Sequence, residues 1–146
     1  MGKSKYIVIK GLLSFNYLEG GNKGAAWGIF SGKILMFVII TIIAIVIISI
    51  FMRNITGIMC NEGKSATLMV LQYTFGMLMA GAVGNLIDRV VNGSVVDFIC
   101  FEFIDFPIFN VADCYVTVSC VLIVVMCLLK LKEEDFNKIF TIKKNY

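Results

Sequence analysis

The chain has 146 residues, 59% apolar and 16% charged, with a net charge of +3 and a mean hydropathy of +0.90. A typical soluble domain is about 45–50% apolar and about 25% charged, so this composition lies outside the soluble range. Histidine is absent, which removes Ser-His and Cys-His nucleophile pairs and His-ligated metal sites. Without a dense basic stretch, nucleic-acid binding has little support. The length allows a single membrane domain over residues 1–146. Cys60, Cys100, Cys114, Cys120 and Cys127 form no C-x-x-C pair and read as small packing residues.

In chain order, residues 6–32 come first. Tyr6–Ile9 and Leu12–Tyr17 are short strand-like runs, and Gly20, Gly21 and Gly24 punctuate a turn around Asn22. Ile34 to Phe51 is apolar apart from Thr41 and Ser49. Its β-branched residues suit a strand, but its length of about 27 Å as a helix, at about 1.5 Å per residue, suits a membrane span. Arg53 to Ser65 reads as a short polar connection, and Ala66 to Leu86 as a second span. Val90 to Val96, with Asn92-Gly93 at its centre, suggests a tight hairpin. Cys114 to Leu129 is the third span, followed by Lys130, Lys132 and a solvated tail over 130–146. The expected fold is an all-α integral membrane protein of three transmembrane helices with a little β structure on one face.

Positive charge in the 53–65 connection and in the tail places that side in the cytoplasm. The N-terminal segment and residues 88–113 then face outward. Lys3, Lys5, Lys10, Lys23 and Lys33 lie at that outer end and dilute the signal.

Three carboxylates are expensive to place. Asp88, Asp97 and Asp113 each sit at a predicted membrane boundary among apolar residues, where an ionisable group is a functional hypothesis. Helix capping is the plain reading of Asp113, and a solvated edge-strand position that of Asp97. Both fall in one outward excursion, so a turn between them brings two carboxyls together. Such a pair shares one proton: one carboxylate activates water while the protonated partner polarises a carbonyl. That chemistry needs no metal, cofactor or histidine. Gly81, Gly84, Asn85 and Asp88 follow i, i+3, i+4, i+7 spacing and share a helix face. They form either a packing seam with a polar end or a support for the acid pair. Arg89 pairs with Asp88, or meets a lipid phosphate or a substrate carbonyl. Asn22 reads first as a turn former, and Asn110 stands where it can orient Asp113.

Taken together, these segments resemble the lipoprotein signal peptidases, or signal peptidase II. Asn22-Lys23-Gly24-Ala25-Ala26-Trp27-Gly28 is similar to the family's N-x-G-A-A-F-G segment, with Trp27 where Phe is common. Gly81 to Arg89 resembles its G-A-x-G-N-x-x-D-R block, Gly93 to Phe98 its G-x-V-x-D-F block, and Pro107 to Asp113 its P-x-F-N-x-A-D block. The resemblance covers about residues 6 to 132. It implies an intramembrane aspartyl endopeptidase of the bacterial cytoplasmic membrane, multi-pass, with its active site toward the outer face. The family cleaves prolipoproteins before a cysteine carrying a diacylglyceryl group, so the implied partners are that prolipoprotein and membrane lipid. The resemblance makes Asp97 and Asp113 the catalytic pair, with Asn22, Gly24, Asn85, Asp88, Arg89 and Asn110 as substrate-binding or supporting positions. It implies four helices with a small outward-facing β cradle, here residues 6–32.

The chain departs from the family before Asn22, where no membrane span and no Asp precede the motif. The family's first helix is therefore expected to be absent. Two other readings compete: an inactive truncated remnant that still binds lipoprotein precursors, and a small proton- or ion-conducting membrane protein.

Overall fold

The structure, a computed structural model, describes residues 5–17, 19–24, 33–63 and 65–140. Residues 25–32, which include the Ala25–Gly28 part of the first motif, lie outside the described residues.

Three long helices form the body: α1 (Ile34–Glu62), α2 (Ala66–Asn92) and α3 (Val111–Leu129). Each is long and apolar enough to cross a membrane. α2 packs back against α1. Gly81 and Gly84 of α2 meet the start of α3, while Leu71 and Met126 share an apolar cluster at the other end, so α3 runs antiparallel to α2. Leu35, Ile39, Ile43 and Val46 of α1 are exposed, as expected of a face solvated by lipid. Four hydroxyls within the helices are satisfied internally: Thr41, Ser49, Thr56 and Thr74 donate to carbonyls one turn back.

The helices outrun the expected spans. The 53–65 connection is largely α1, because Ile55 and Ile58 carry its buried stripe past the polar residues to Gly63 (φ 95°). α2 continues through Asp88 and Arg89 to Asn92, and the expected hairpin at Asn92-Gly93 does not form. Gly93 adopts a left-handed conformation (φ 66°) and donates to the Arg89 carbonyl, which makes it the C-terminal cap of α2. The tail is also more ordered than expected. Glu133–Phe140 forms α4, with acidic residues in its first turn and Ile139 buried.

Two of the expected strand segments form, β1 (Tyr6–Ile9) and β2 (Leu13–Phe15). A third strand, β3 (Ile99–Phe101), completes an antiparallel sheet of order β1-β2-β3. Leu13 pairs with Phe101 and Phe15 with Ile99. Short bridges extend the pairing, Asn22 with Val95 and Ile99 with Phe109. They tie the N-terminal turn and the 95–109 loop to the site end of the bundle.

Candidate active site

α3 starts on a reciprocal cap. Asn110 is the N-cap residue, and its Oδ1 accepts from the Asp113 backbone N–H at 3.0 Å. The Asp113 Oδ2 accepts from the Asn110 backbone N–H at 3.1 Å. The plain reading of Asp113 is therefore correct, yet it uses one oxygen only. Asp113 Oδ1 accepts from Asn85 Nδ2 at 2.8 Å.

Asn110 also reaches the second carboxyl. Its Nδ2 donates to Asp97 Oδ1 at 2.8 Å and to Asn85 Oδ1 at 3.0 Å. Asn22 Nδ2 completes the set, donating to Asp97 Oδ2 at 2.8 Å. Each carboxyl thus accepts on both oxygens, and one buried asparagine touches both residues. Asp97 is 1% exposed and lies between elements, so it is not a solvated edge-strand residue. Burial pushes its carboxyl above the usual carboxylate range, and Asp113 adds to this; the bonds from Asn22 and Asn110 act in the opposite direction.

The backbone explains how Asn22 reaches so far. Asn22 and Val95 exchange N–H···O bonds of 2.8 and 2.9 Å. The turn before Asn22 has positive φ at Gly20 and Gly21, and a Cβ on Gly21 would collide with the Ser94 side chain. Asn22 Oδ1 accepts from the backbone N–H of buried Gly24 at 2.9 Å, which orients the amide.

Gly81 and Gly84 make the α2–α3 seam. A Cβ at Gly81 would stand 2.6 Å from the Ala112 carbonyl oxygen. This close approach lets Asn85 reach Asp113. Asp88 turns away from the pair and accepts from the Val96 backbone N–H at 3.0 Å, which fixes the segment leading into Asp97.

A cavity of about 530 Å³ opens on this network. Asn22, Gly24, Arg89, Asp97 and Asp113 line it; Asn85, Asp88 and Asn110 stand behind. Its wall also includes Phe101, Phe106 and Phe109, and Cys114, Thr117 and Val118 of α3, which were not anticipated. The rings pack together, with Phe101 and Phe109 centroids 5.1 Å apart. The density of Phe between 101 and 109 was the available signal. Among the described residues no three His, Cys, Asp or Glu side chains converge as a metal site. None of the three long helices carries an Asp or Glu in its middle, the placement that ion conduction through the bundle requires.

A buried Asp97 and a half-buried Asp113, cross-linked by asparagine at the end of an apolar bundle, suit hydrolysis at a membrane boundary. A sequence model of signal peptidase (SPase) II matches residues 1–129. The chain belongs to the signal peptidase II family. The lipoprotein signal peptidase of Staphylococcus haemolyticus (strain JCSC1435) is 44% identical over 127 residues, covering 86% of this chain and 73% of that protein. That of Clostridium tetani (strain Massachusetts / E88) is 38% identical over 138 residues, covering 92% and 81%. A bacterial membrane enzyme solved by the in meso method at 2.3 Å superposes with a TM-score of 0.67 at 34% identity, covering all of this chain and 80% of that one. A second, at 1.9 Å, gives 0.67 at 37% identity, covering 90% and 79%. The chain is a membrane peptidase of the aspartic type, and the activity of signal peptidase II is removal of signal peptides from lipoproteins.

Proposed function

We propose that Asp97 and Asp113 are the catalytic pair with which this signal peptidase II cuts diacylglyceryl-modified prolipoproteins before the lipidated cysteine. The observation that carries the reading is Asn110, whose side chain bonds to Asp97 and to the backbone of Asp113 at once.

The pair shares one proton. Asp97, held by burial above the ordinary range, keeps it and polarises the scissile carbonyl; Asp113 takes a proton from water as the oxygen attacks. The C–N bond then breaks as a proton passes to the leaving amine. Asn22, Asn85 and Asn110 hold both carboxyls in place, and Asp88 holds the chain entering Asp97. The guanidinium of Arg89, at the cavity wall, receives a substrate carbonyl. The phenylalanine wall and the α3 face accept apolar chain entering from lipid.

In this reading the protein sits in the bacterial cytoplasmic membrane with the site toward the outer face. Arg53, Lys130, Lys132 and Lys138 at the opposite end support that orientation.

The test is cleavage of a diacylglyceryl-modified prolipoprotein peptide by the purified chain beside Asp97→Asn and Asp113→Asn. Each variant is expected to lose about 10²- to 10⁴-fold in rate or more. Cleavage retained by either variant overturns the assignment.

A further inference from the structure

Arg89 reaches the cavity wall from the last turn of α2. Asp97 and Asp113 line the same cavity, and Asp88 stands one residue before Arg89 in α2. Among the described residues, however, the ion pairs are Lys5–Glu102 and Lys138–Glu62; Arg89 closes on none of its three carboxylates. A flexible cation beside an ionised Asp113 would be expected to close on it. Two contacts hold it elsewhere. Arg89 Nη1 donates to the Asn85 carbonyl at 3.1 Å, one turn back on its own helix. Its Cζ lies 5.1 Å from the centroid of the Phe37 ring, on α1.

A cation within about 6 Å of an aromatic face is attracted by the ring quadrupole, more strongly where water is scarce. A guanidinium donates through its edge, from five N–H groups. Attraction to the ring consumes no N–H donor, whereas a carboxylate partner would take one or two. Among the described residues no α1 side chain lines the cavity, so Phe37 is a route by which α1 bears on the site.

We infer that Phe37 is a positioning residue: its ring holds the Arg89 guanidinium beside the acid pair rather than on it, leaving the donors that Asn85 does not take for the substrate. The inference rests on the proposed cleavage by Asp97 and Asp113. Weakening the ring's hold lets Arg89 fall onto a carboxylate, and substrate binding suffers first.

The test replaces Phe37 with a graded series of mono-, di- and trifluorophenylalanine, which drain the quadrupole while nearly preserving shape. Phe37→Trp and Phe37→Leu complete the set, and the peptide assay reads KM and kcat separately. KM is expected to climb with each fluorine to about five-fold, with kcat within about two-fold, and Trp is expected to match the parent. Phe37→Leu should resemble the trifluoro form; if it fails to fold, the fluorinated series still decides. A flat KM across the series in an active enzyme, or a loss carried by kcat alone, overturns the role of Phe37. An inactive parent, or an active Asp97→Asn variant, overturns the reading beneath it instead.

Discussion

The two ends of the bundle are held by different physics. At the end where α1 finishes and α2 starts, Ile55, Leu71, Phe75, Met126 and Ile139 are buried together, and Phe51 packs edge-on against Phe140 with centroids 4.9 Å apart. At the other end Asp97, Asn110 and Ser94 are buried, and the contacts are directed bonds of about 3 Å between Asn, Asp and backbone. Dispersion is non-directional and tolerates swaps that conserve volume. A buried polar network tolerates little, because removing one member leaves its partners unsatisfied. Stability is therefore concentrated at one end and chemistry at the other, and the α2–α3 seam joins them.

Substitution at that seam should disturb both ends at once. Gly81→Ala places a methyl group against the Ala112 carbonyl, and α3 must move. Overpacking of this kind costs about 1–3 kcal/mol, and the shift carries Asp113 away from Asn85. Thermal stability should fall and cleavage should drop more than about ten-fold. Gly76→Ala is the control, since a Cβ there meets nothing within 4 Å. Helix propensity alone would stabilise both variants; a gain at 81 matching that at 76 would show that the seam tolerates the methyl group.

Truncation at the apolar end should separate the two properties. Leu71 is fully buried, and Leu71→Ala should cost about 2–5 kcal/mol. Below the melting temperature KM and kcat should stay near the parent values. A large change in KM would mean that the ends are coupled along α2 more tightly than the packing suggests.

Much of this division is legible in the chain. An apolar run as long as Ile34–Phe51 can only be a span, and the Gly81, Gly84, Asn85, Asp88 spacing places a packing seam directly below a polar end. Other features depend on context that local sequence does not carry. Asn92-Gly93 satisfies a hairpin turn and a helix C-cap equally, since both need positive φ; what decides is that Arg89 to Val91 continue α2. β3 forms because Leu13–Phe15 comes from far along the chain to pair with it. The polar residues after Phe51 look like a loop until Ile55 and Ile58 are seen to extend the buried stripe of α1. The approach of Asn22 to Asp97 likewise follows from a backbone bridge to Val95 that no local pattern encodes.

The polar end should answer to pH. Asn22→Ala removes a donor that favours ionised Asp97, so the carboxyl rises further above its ordinary value. If Asp97 keeps the shared proton, it keeps it to higher pH, and the alkaline limb of kcat/KM moves upward; the rate itself should fall about ten-fold. A shift confined to the acid limb would make Asp113 the proton holder. Stability follows the same sign. A carboxyl whose pKa is raised by folding contributes stability below its unfolded value and loses it as pH rises through the folded value. Asp97→Asn also turns an amide N–H toward the Asn22 or Asn110 donor, a cost independent of pH; its melting temperature relative to the parent should therefore be highest at neutral pH and fall on acidification.

The smallest effect is expected where the geometry looks best. Lys138 Nζ lies 2.8 Å from both Glu62 carboxylate oxygens and joins α4 to the end of α1. Both side chains are well exposed, at 36% and 50%. Water and salt screen such a pair, and the ordering of two long side chains offsets most of its attraction. Lys138→Ala should leave the melting temperature and its salt dependence unchanged within error. Ile139 is fully buried one residue further on, and its carbonyl accepts from Asn54 Nδ2 at 2.8 Å. Ile139→Ala should lower the melting temperature clearly. Were Lys138→Ala the more damaging of the two, α4 would be held by charge, and the apolar end would share the physics of the polar one.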